Sequence, residues 1–322
     1  MLTRGQMNRK SRWLLALAAW SLGMANLATA FGDDHFVSAA DEPLVVVVMD
    51  PLSDKLACDC VEGYAQRKYE VLGQHLQRTM GRKVEVYWGE SIEAALKDEN
   101  AKRVTPLSAD LVIGKHSVIV SESKHRSLGL QPVAQLTGKD GSTVQYGFVV
   151  VRGTDPAILV EDLQGYRIIF GPANCDEKNA APRQLLVDAE IHLPAELETA
   201  DACSVAAKKL LECPKDEKVA AIISSYAAPL LEGCGTINKG DLRVVGKSDP
   251  VPFITAFIPE QVDGASRSQL IETLLAVGND AKLVQALETR DGFVPFTSEP
   301  TTTEVGRAKS SGTQTSAEKK TK

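Results

Sequence analysis

Six cysteines are the side chains of this sequence best suited to chemistry, because thiols form disulfides or, as thiolates, bind metal ions. Cys58-Asp59-Cys60 has the close spacing of a thiolate claw for a metal. The same number of cysteines in an exported chain points instead to disulfides. The candidate disulfide cysteines are Cys58, Cys60, Cys175, Cys203, Cys213 and Cys234.

Helix geometry restricts how these cysteines can pair. Cys203 and Cys213 bracket one predicted helix, which places them about 15 Å apart at a rise of ~1.5 Å per residue, beyond disulfide reach. We expect Cys213 to pair with Cys234, because the two helices that these residues end flank one predicted strand. Cys175–Cys203 is the second expected pair, since both residues should lie at the carboxyl ends of neighbouring strands.

The remaining reactive side chains do not form a pattern typical of an enzyme. The five histidines lack metal-ligand spacing, and the sequence contains no glycine-rich phosphate loop and no evident nucleophile–base–acid set. We therefore predict no catalytic residues, no metal site and no cofactor. A metal carrier that uses Cys58, Cys60 and Cys175 stays open as an alternative.

Polar side chains that follow predicted strands are the candidates for binding a small molecule, because ligands of open α/β sheets lie at the carboxyl ends of strands. Ser117 could bind an oxyanion or cap a helix, and His116 could bind an anion or remain solvated. Tyr146 could contact ligand or pack the hinge. The predicted ligand-binding residues are Asn174, Ser117, His116, Tyr146, Asp176, Ser224 and Tyr226.

The first thirty residues predict an export signal. A basic segment precedes the apolar stretch Trp13–Met24, and Ala28-Thr29-Ala30 provides a small-x-small cleavage pattern. An uncleaved membrane anchor is the alternative. Removing residues 1–30 takes away four basic groups and no acidic ones, so the net charge changes from −6 to −10. That charge argues against a nucleic-acid or anionic-membrane partner, and we expect a soluble monomer outside the cytoplasm.

Alternating strands and helices occur in two sets, which predicts an α/β protein with two lobes. Leu44–Met49 is a continuous apolar run, typical of a strand buried on both faces. The helical stripe that follows ends at Gly81, and strands at Val84–Trp88 and Ala109–Gly114 complete a doubly wound unit. The alternation resumes after two extended segments joined by a turn at Gly138–Gly141.

Chain crossings near Gly147–Arg152 and Gly246–Pro250 should join the lobes. We predict lobe I at 43–148 plus 250–295 and lobe II at 149–249, with doubly wound lobes and two hinge crossovers. Residues 297–322 are polar with almost no apolar side chains, which predicts a disordered tail.

Several of these segments resemble the phosphate/phosphonate-type periplasmic solute-binding proteins of ABC importers. The motifs that carry the resemblance are Val48–Cys60, Asp110–Gly114, Tyr146–Arg152, Val160–Pro172 and Leu242–Pro252. It implies a type II periplasmic-binding fold that captures a small polar or anionic solute by lobe closure and delivers it to a permease. It also implies that Asn174, in the loop after Gly171-Pro172, contacts ligand.

The loop after Gly171-Pro172 departs from the resembled family. Members place a Ser-x-Ser-Gly run there, at a helix N-terminus whose donors hold the phosphono oxygens. This chain has Asn174-Cys175-Asp176-Glu177-Lys178-Asn179 instead. Carboxylates in that loop would repel a dianion if they point into the cleft, or would serve as helix-dipole partners if they point outward.

The family resemblance leaves a second class of function open. The altered loop, the extra cysteines and the polar tail favour a periplasmic accessory or interaction protein for a redox enzyme or sensor on the same fold. The solute receptor is the first hypothesis, because the motifs of the whole scaffold are retained.

Overall fold

The computed structural model describes residues 42–57 and 66–297. The predicted signal peptide, Cys58, Cys60 and the predicted tail beyond Thr297 lie outside the described residues. No helix within the described part of the chain is long and apolar enough to cross a membrane.

Lobe I is built on a six-stranded sheet in the order β13-β4-β12-β3-β1-β2. Its strands are β1 (Leu44–Met49), β2 (Val84–Trp88), β3 (Leu111–Lys115), β4 (Leu130–Leu136), β12 (Ile254–Pro259) and β13 (Phe293–Pro295). Its helices are α1 (Tyr69–Met80), α2 (Ile92–Asn100), α3 (His116–Arg126), α7 (Gly264–Leu275) and α8 (Ala281–Ala286). Strand β1 is parallel to β2 and β3, whereas β12 returns from lobe II and runs antiparallel to β3 and β4.

Strand β1 shows why a continuous apolar run forms the centre of this sheet. Val46 and Val48 pack on the face covered by α1 and α7, and Val45 and Val47 pack on the face covered by α2 and α3. Both faces of the strand are therefore buried, and alternation between apolar and polar residues would be unfavourable. Helix α1 ends at Gly81, as predicted, with the left-handed φ of 63° that glycine accepts readily.

Lobe II is built on a five-stranded sheet in the order β10-β6-β9-β7-β8. Its strands are β6 (Gly147–Arg152), β7 (Arg167–Phe170), β8 (Glu198–Thr199), β9 (Val219–Ser224) and β10 (Leu242–Lys247). Its helices are α4 (Ala180–Asp188), α5 (Cys203–Glu212) and α6 (Ala227–Gly233). Strand β9 is buried along its whole length and runs parallel to β7 and antiparallel to β6.

A short ribbon of β5 (Val144–Gln145) and β11 (Val251–Pro252) lies where the chain crosses between the lobes. The hydroxyl of Ser248 accepts a hydrogen bond from the Gly147 N–H at 2.8 Å, which ties the two crossings together. The fold class predicted from the sequence, two α/β lobes of the type II periplasmic-binding kind, is confirmed. The extended segments on either side of Gly138–Gly141 do not pair with each other, because β4 belongs to lobe I and β6 to lobe II.

The close contact between β1 and β3 makes a testable demand on Gly114. A Cβ atom at this position would lie 2.6–2.7 Å from the backbone and Cβ of Met49. We expect Gly114→Ala to lower the free energy of unfolding by about 1–3 kcal/mol, the usual cost of overpacking a core.

Gly264→Ala at the start of α7 is the matched control, because nothing lies within 4 Å of its added methyl group. It should leave stability unchanged or raise it by about 0.5–1 kcal/mol. Urea unfolding of both variants measures the difference, and equal stabilities would contradict the contact.

Candidate ligand cleft

The carboxyl ends of the central strands of both lobes face a shared cavity of about 560 Å³. Lobe I contributes the loop after β1, with Pro51 and Leu52, and the end of β3, with Lys115. Lobe II contributes the loop after β7 and the first residues of α5 and α6. We call this space the cleft cavity. Its volume is in the range of small-molecule sites.

A buried ion pair crosses between the lobes at the edge of this cavity. The ammonium of Lys115, at the end of β3, contacts the carboxylate of Glu177 in the 3₁₀ turn Asp176–Lys178 of lobe II. Glu177 is fully buried, and its Oε1 also accepts a hydrogen bond from the Ser224 hydroxyl at 2.8 Å. The Cys175 thiol lies 2.6 Å from the Lys115 Nζ and 3.5 Å from the Glu177 Oε1.

The surroundings of this pair favour both charges. Burial disfavours the ionised carboxylate, but the ammonium of Lys115 holds the pKa of Glu177 below its usual value. Burial likewise disfavours the ammonium, yet the Glu177 carboxylate, together with Tyr226 and the hydrogen bond to Cys175, raises the pKa of Lys115. Burial raises the pKa of the Cys175 thiol, so that residue stays protonated and can donate to the carboxylate.

A second contact joins the same elements of the two lobes. The hydroxyl of Ser117, in the first turn of α3, accepts a hydrogen bond from the backbone N–H of Asp176 at 3.1 Å. Ser117 therefore does not cap α3, which begins at His116 without any side-chain cap. Burial and the neighbouring Glu177 raise the pKa of Asp176, whose side chain is half-buried.

Lys178 is the other buried cation of the cavity wall. Its side chain lies against Gly171, where an added Cβ would come within 2.4 Å of the Lys178 Cβ. The Nζ of Lys178 donates a hydrogen bond to the backbone oxygen of Asp201 at 3.0 Å. Backbone hydrogen bonds between Gly171 and Lys178 and between Lys178 and Cys175, both 2.9 Å, close this loop into a compact turn.

On the lobe I side, a buried network fixes the loop after β1. The carboxylate of Asp50 accepts hydrogen bonds from Arg67 at 2.9 Å, from the Tyr69 hydroxyl at 2.6 Å and from the Leu52 N–H at 2.8 Å. Burial and the Asp50 charge raise the pKa of Tyr69 well above its usual value. These hydrogen bonds position Leu52, which lines the cavity.

A second cavity of about 570 Å³ lies towards the hinge and is separated from the first by Leu52, Tyr226 and Leu230. Tyr146 lines it, with the ammonium of Lys247 3.5 Å from the centre of its ring. Tyr146 therefore belongs to the hinge side, and a ligand in the cleft cavity would not contact it.

The other predicted ligand residues are distributed over several surroundings. Asn174 is exposed and lines the cleft cavity, and Tyr226 lines both cavities. Ser224 is fully buried beneath Glu177. His116 lies among Phe257, Phe296 and Thr255 rather than in the cavity wall.

The sequence analysis missed Lys115 and Lys178 as parts of the site. The available signals were the position of Lys115 at the end of a buried strand and that of Lys178 in the altered loop. Neither position could be recognised without knowing that the two lobes bring these segments together.

The predicted disulfide pairs are wrong for the described cysteines, since Cys175, Cys203 and Cys213 are free thiols. The Cys213 sulfur contacts Arg167 and the Lys209 carbonyl, both at 3.0 Å. The Cys203 sulfur lies 3.7 Å from the Ser224 hydroxyl, with that hydroxyl and Glu177 between it and Cys175. The expectation that Cys175 and Cys203 would pair because they follow neighbouring strands is therefore wrong.

The two lobes, the paired crossings and the cavity between strand ends define a solute-binding protein of the periplasmic type. A family model for the periplasmic substrate-binding proteins of phosphonate ABC transporters matches residues 63–300. The chain belongs to this family. None of the curated proteins compared with it matches the chain in sequence.

Solved structures with the same fold have low sequence identity to this chain. A Xanthomonas citri protein bound to ATP is 15% identical, with a TM-score of 0.58 over 79% of this chain and 91% of that one. A binding-protein component of a phosphonate ABC transporter from Pseudomonas aeruginosa is 13% identical (TM-score 0.57; 80% and 82% covered). PhnD1 from Prochlorococcus marinus, in complex with methylphosphonate, is 12% identical (TM-score 0.57; 80% and 94% covered).

The position of His116 predicts how stability depends on pH. Burial lowers the pKa of His116 to about 4, so the folded protein holds the neutral ring. As the pH falls below the unfolded value of about 6.5, the unfolded chain gains a proton that the folded chain resists, and stability decreases down to about pH 4. His116→Gln should reduce the loss of unfolding free energy between about pH 7 and 4.5 by about 2 kcal/mol.

Denaturant unfolding at several pH values checks this, with the exposed His192→Gln as control. The same acid sensitivity in His116→Gln and wild type would show that another group is responsible.

Proposed function

We propose that this protein is an extracytoplasmic receptor that captures a small solute in the cleft cavity for an ABC importer, and that the solute is not a phosphate or phosphonate dianion. The proposal is based on the buried carboxylate of Glu177, which lies in the loop after Gly171-Pro172. This carboxylate accepts hydrogen bonds from Lys115 and from Ser224. An internal carboxylate thus uses the donors that an anionic ligand would need.

The electrostatic repulsion between the Glu177 carboxylate and a bound dianion supports the exclusion of phosphate and phosphonate dianions. Two unit charges about 4 Å apart repel by about 4 kcal/mol at an effective dielectric constant of about 20, and each charge of a dianion would contribute. Moving Glu177 away would also be unfavourable, because Lys115 would be left as a buried charge without its partner, at a cost of about 3–5 kcal/mol.

The proposal further holds that the protein is exported by cleavage after Ala30, acts as a monomer and carries out no catalysis. The basic segment, the apolar stretch and the Ala28-Thr29-Ala30 pattern support the cleavage. N-terminal sequencing of the exported protein should begin at Phe31, and retention of residues 1–30 would contradict it.

A thiolate metal carrier has less support. No group of three or more metal-ligating side chains occurs in the part of the chain that the structure describes. Cys58 and Cys60 lie outside that part.

The first test is calorimetric titration with phosphate and methylphosphonate at alkaline pH, where both are dianions. Wild type should bind neither, whereas Glu177→Gln should bind methylphosphonate, because Lys115 then lacks its internal anion. Exposed Glu161→Gln is the charge-matched control and should behave as wild type. Tight methylphosphonate binding by wild type would refute the exclusion of dianions.

The second test locates the site with a thermal-shift screen of small solutes. Asn174→Trp should abolish the response to every stabilising solute, because Asn174 lines the cleft cavity and an indole there would fill it. Gln184→Trp, exposed on α4 and not in the cavity wall, should leave the responses intact. Responses that survive Asn174→Trp would place binding elsewhere and overturn the receptor assignment to this cavity.

A further inference from the structure

We infer that the cleft cavity selects a monoanion with an apolar body, and that Lys178 together with the amino end of α5 forms the seat for its charged group. This inference rests on the proposed function, because it names the class of solute that the same cavity would capture.

The ammonium of Lys178 is a second buried positive charge beside Lys115, and the buried carboxylate of Glu177 interacts electrostatically with both. Lys178 is only 6% exposed, lines the cavity and has the Asp201 carbonyl as its hydrogen-bond partner. No carboxylate of residues 42–57 or 66–297 forms an ion pair with it. An ammonium has three N–H donors, and the Asp201 carbonyl accepts from one of them.

The amino end of α5 supplies a second, independent set of donors beside this ammonium. The helix begins at Cys203, directly after Asp201 and Ala202, and Ala202, Cys203 and Ser204 all line the cavity. No side chain caps the helix, since the residue at the cap position is Ala202. Helix α7 shows the alternative arrangement, in which the Asp263 carboxylate accepts from the N–H groups of Ala265 and Ser266. The uncapped N–H groups of α5 and its helix dipole therefore favour an anion.

The charge balance of the buried groups specifies one negative charge. Lys115 and Lys178 carry two positive charges and Glu177 carries one negative charge, which leaves a net charge of +1. Glu90 and Asp201 lie at the exposed rim, where water screens them, and Asp176 is not in the cavity wall. A neutral ligand would leave this net positive charge uncompensated, and a dianion would bring one uncompensated negative charge into the cleft.

The remaining wall fits an apolar body. The apolar residues that line the cavity include Met49, Leu52, Leu56, Val118, Leu230 and Leu231. Each CH₂ group that a ligand buries there contributes about 0.8 kcal/mol, so a chain of several carbons would add substantially to the affinity of the charged group.

The test uses probes that share a hexyl body and differ in the head group. Hexanesulfonate is a monoanion, hexanamide is neutral, and hexylphosphonate is a dianion at alkaline pH. Calorimetric titration of the full-length mature protein should show the tightest binding for hexanesulfonate. Equal or tighter binding of hexanamide or of the phosphonate dianion would overturn the inference.

Two variants test the seat itself. Lys178→Met keeps the length of the side chain without its charge and should weaken hexanesulfonate binding roughly tenfold or more, the effect of losing a charged hydrogen bond. Lys208→Met, exposed on the same lobe, is the control. Ala202→Asp should cap α5 with an internal carboxylate, preserve or raise stability, and also abolish binding. This variant keeps the test decisive if Lys178→Met folds poorly.

The outcomes separate this inference from the proposed function. If the solutes found in the thermal-shift screen are neutral or cationic, are lost in Asn174→Trp and are unaffected by Lys178→Met, the receptor stands and the monoanion seat is wrong. If hexanesulfonate binds wild type but also binds Ala202→Asp equally well, the seat at α5 is likewise refuted.

Discussion

The buried pair of Lys115 and Glu177 is the interaction on which the cleft depends. It joins the end of β3 in lobe I to the loop after β7 in lobe II, and it is shielded from water by both lobes. Charges in such a position stabilise a structure only when further hydrogen bonds satisfy them. Ser224 supplies one, and the Cys175 thiol lies beside both charges. The Oε2 atom of Glu177 has no partner among the described residues, so the carboxylate is held from one side.

This pair also underlies the ligand preference that we propose. The chain belongs to the phosphonate-type family and has its two-lobed fold, and the loop after Gly171-Pro172 departs from the Ser-x-Ser-Gly run of that family. A glutamate in the loop after Gly171-Pro172 makes the protein supply its own anion. In the site that we propose, Lys178 and the first N–H groups of α5 are the donors for the solute. Replacement of a loop on a retained scaffold is a common way for a binding site to acquire a new preference.

The sequence predicted the scaffold well because its signals are local. The apolar run Leu44–Met49 and the glycine stop at Gly81 each report burial or backbone geometry within a few residues. The cleft could not be derived in this way, because Lys115 and Glu177 are 62 positions apart and meet only after both lobes form. The cysteine pairs failed for a related reason. Position on a helix gives the place of a Cα atom, whereas a disulfide requires the two side chains to point towards each other.

The hinge and the ion pair are also mechanically linked through Gly147. This residue begins β6, just after the first crossing, and an added Cβ there would lie 2.1 Å from the carbonyl oxygen of Glu177. The turn that carries Glu177 therefore packs directly on the backbone of the hinge strand. A rotation about the crossings would move lobe I, with Lys115, away from this turn and bring water to both charges. Opening of the lobes thus replaces the buried Lys115–Glu177 pair by two hydrated ions. In many proteins the free energies of these two states are nearly equal. The lobes can then be joined by a strong local contact and still be separable, as a receptor that must admit and release a solute requires.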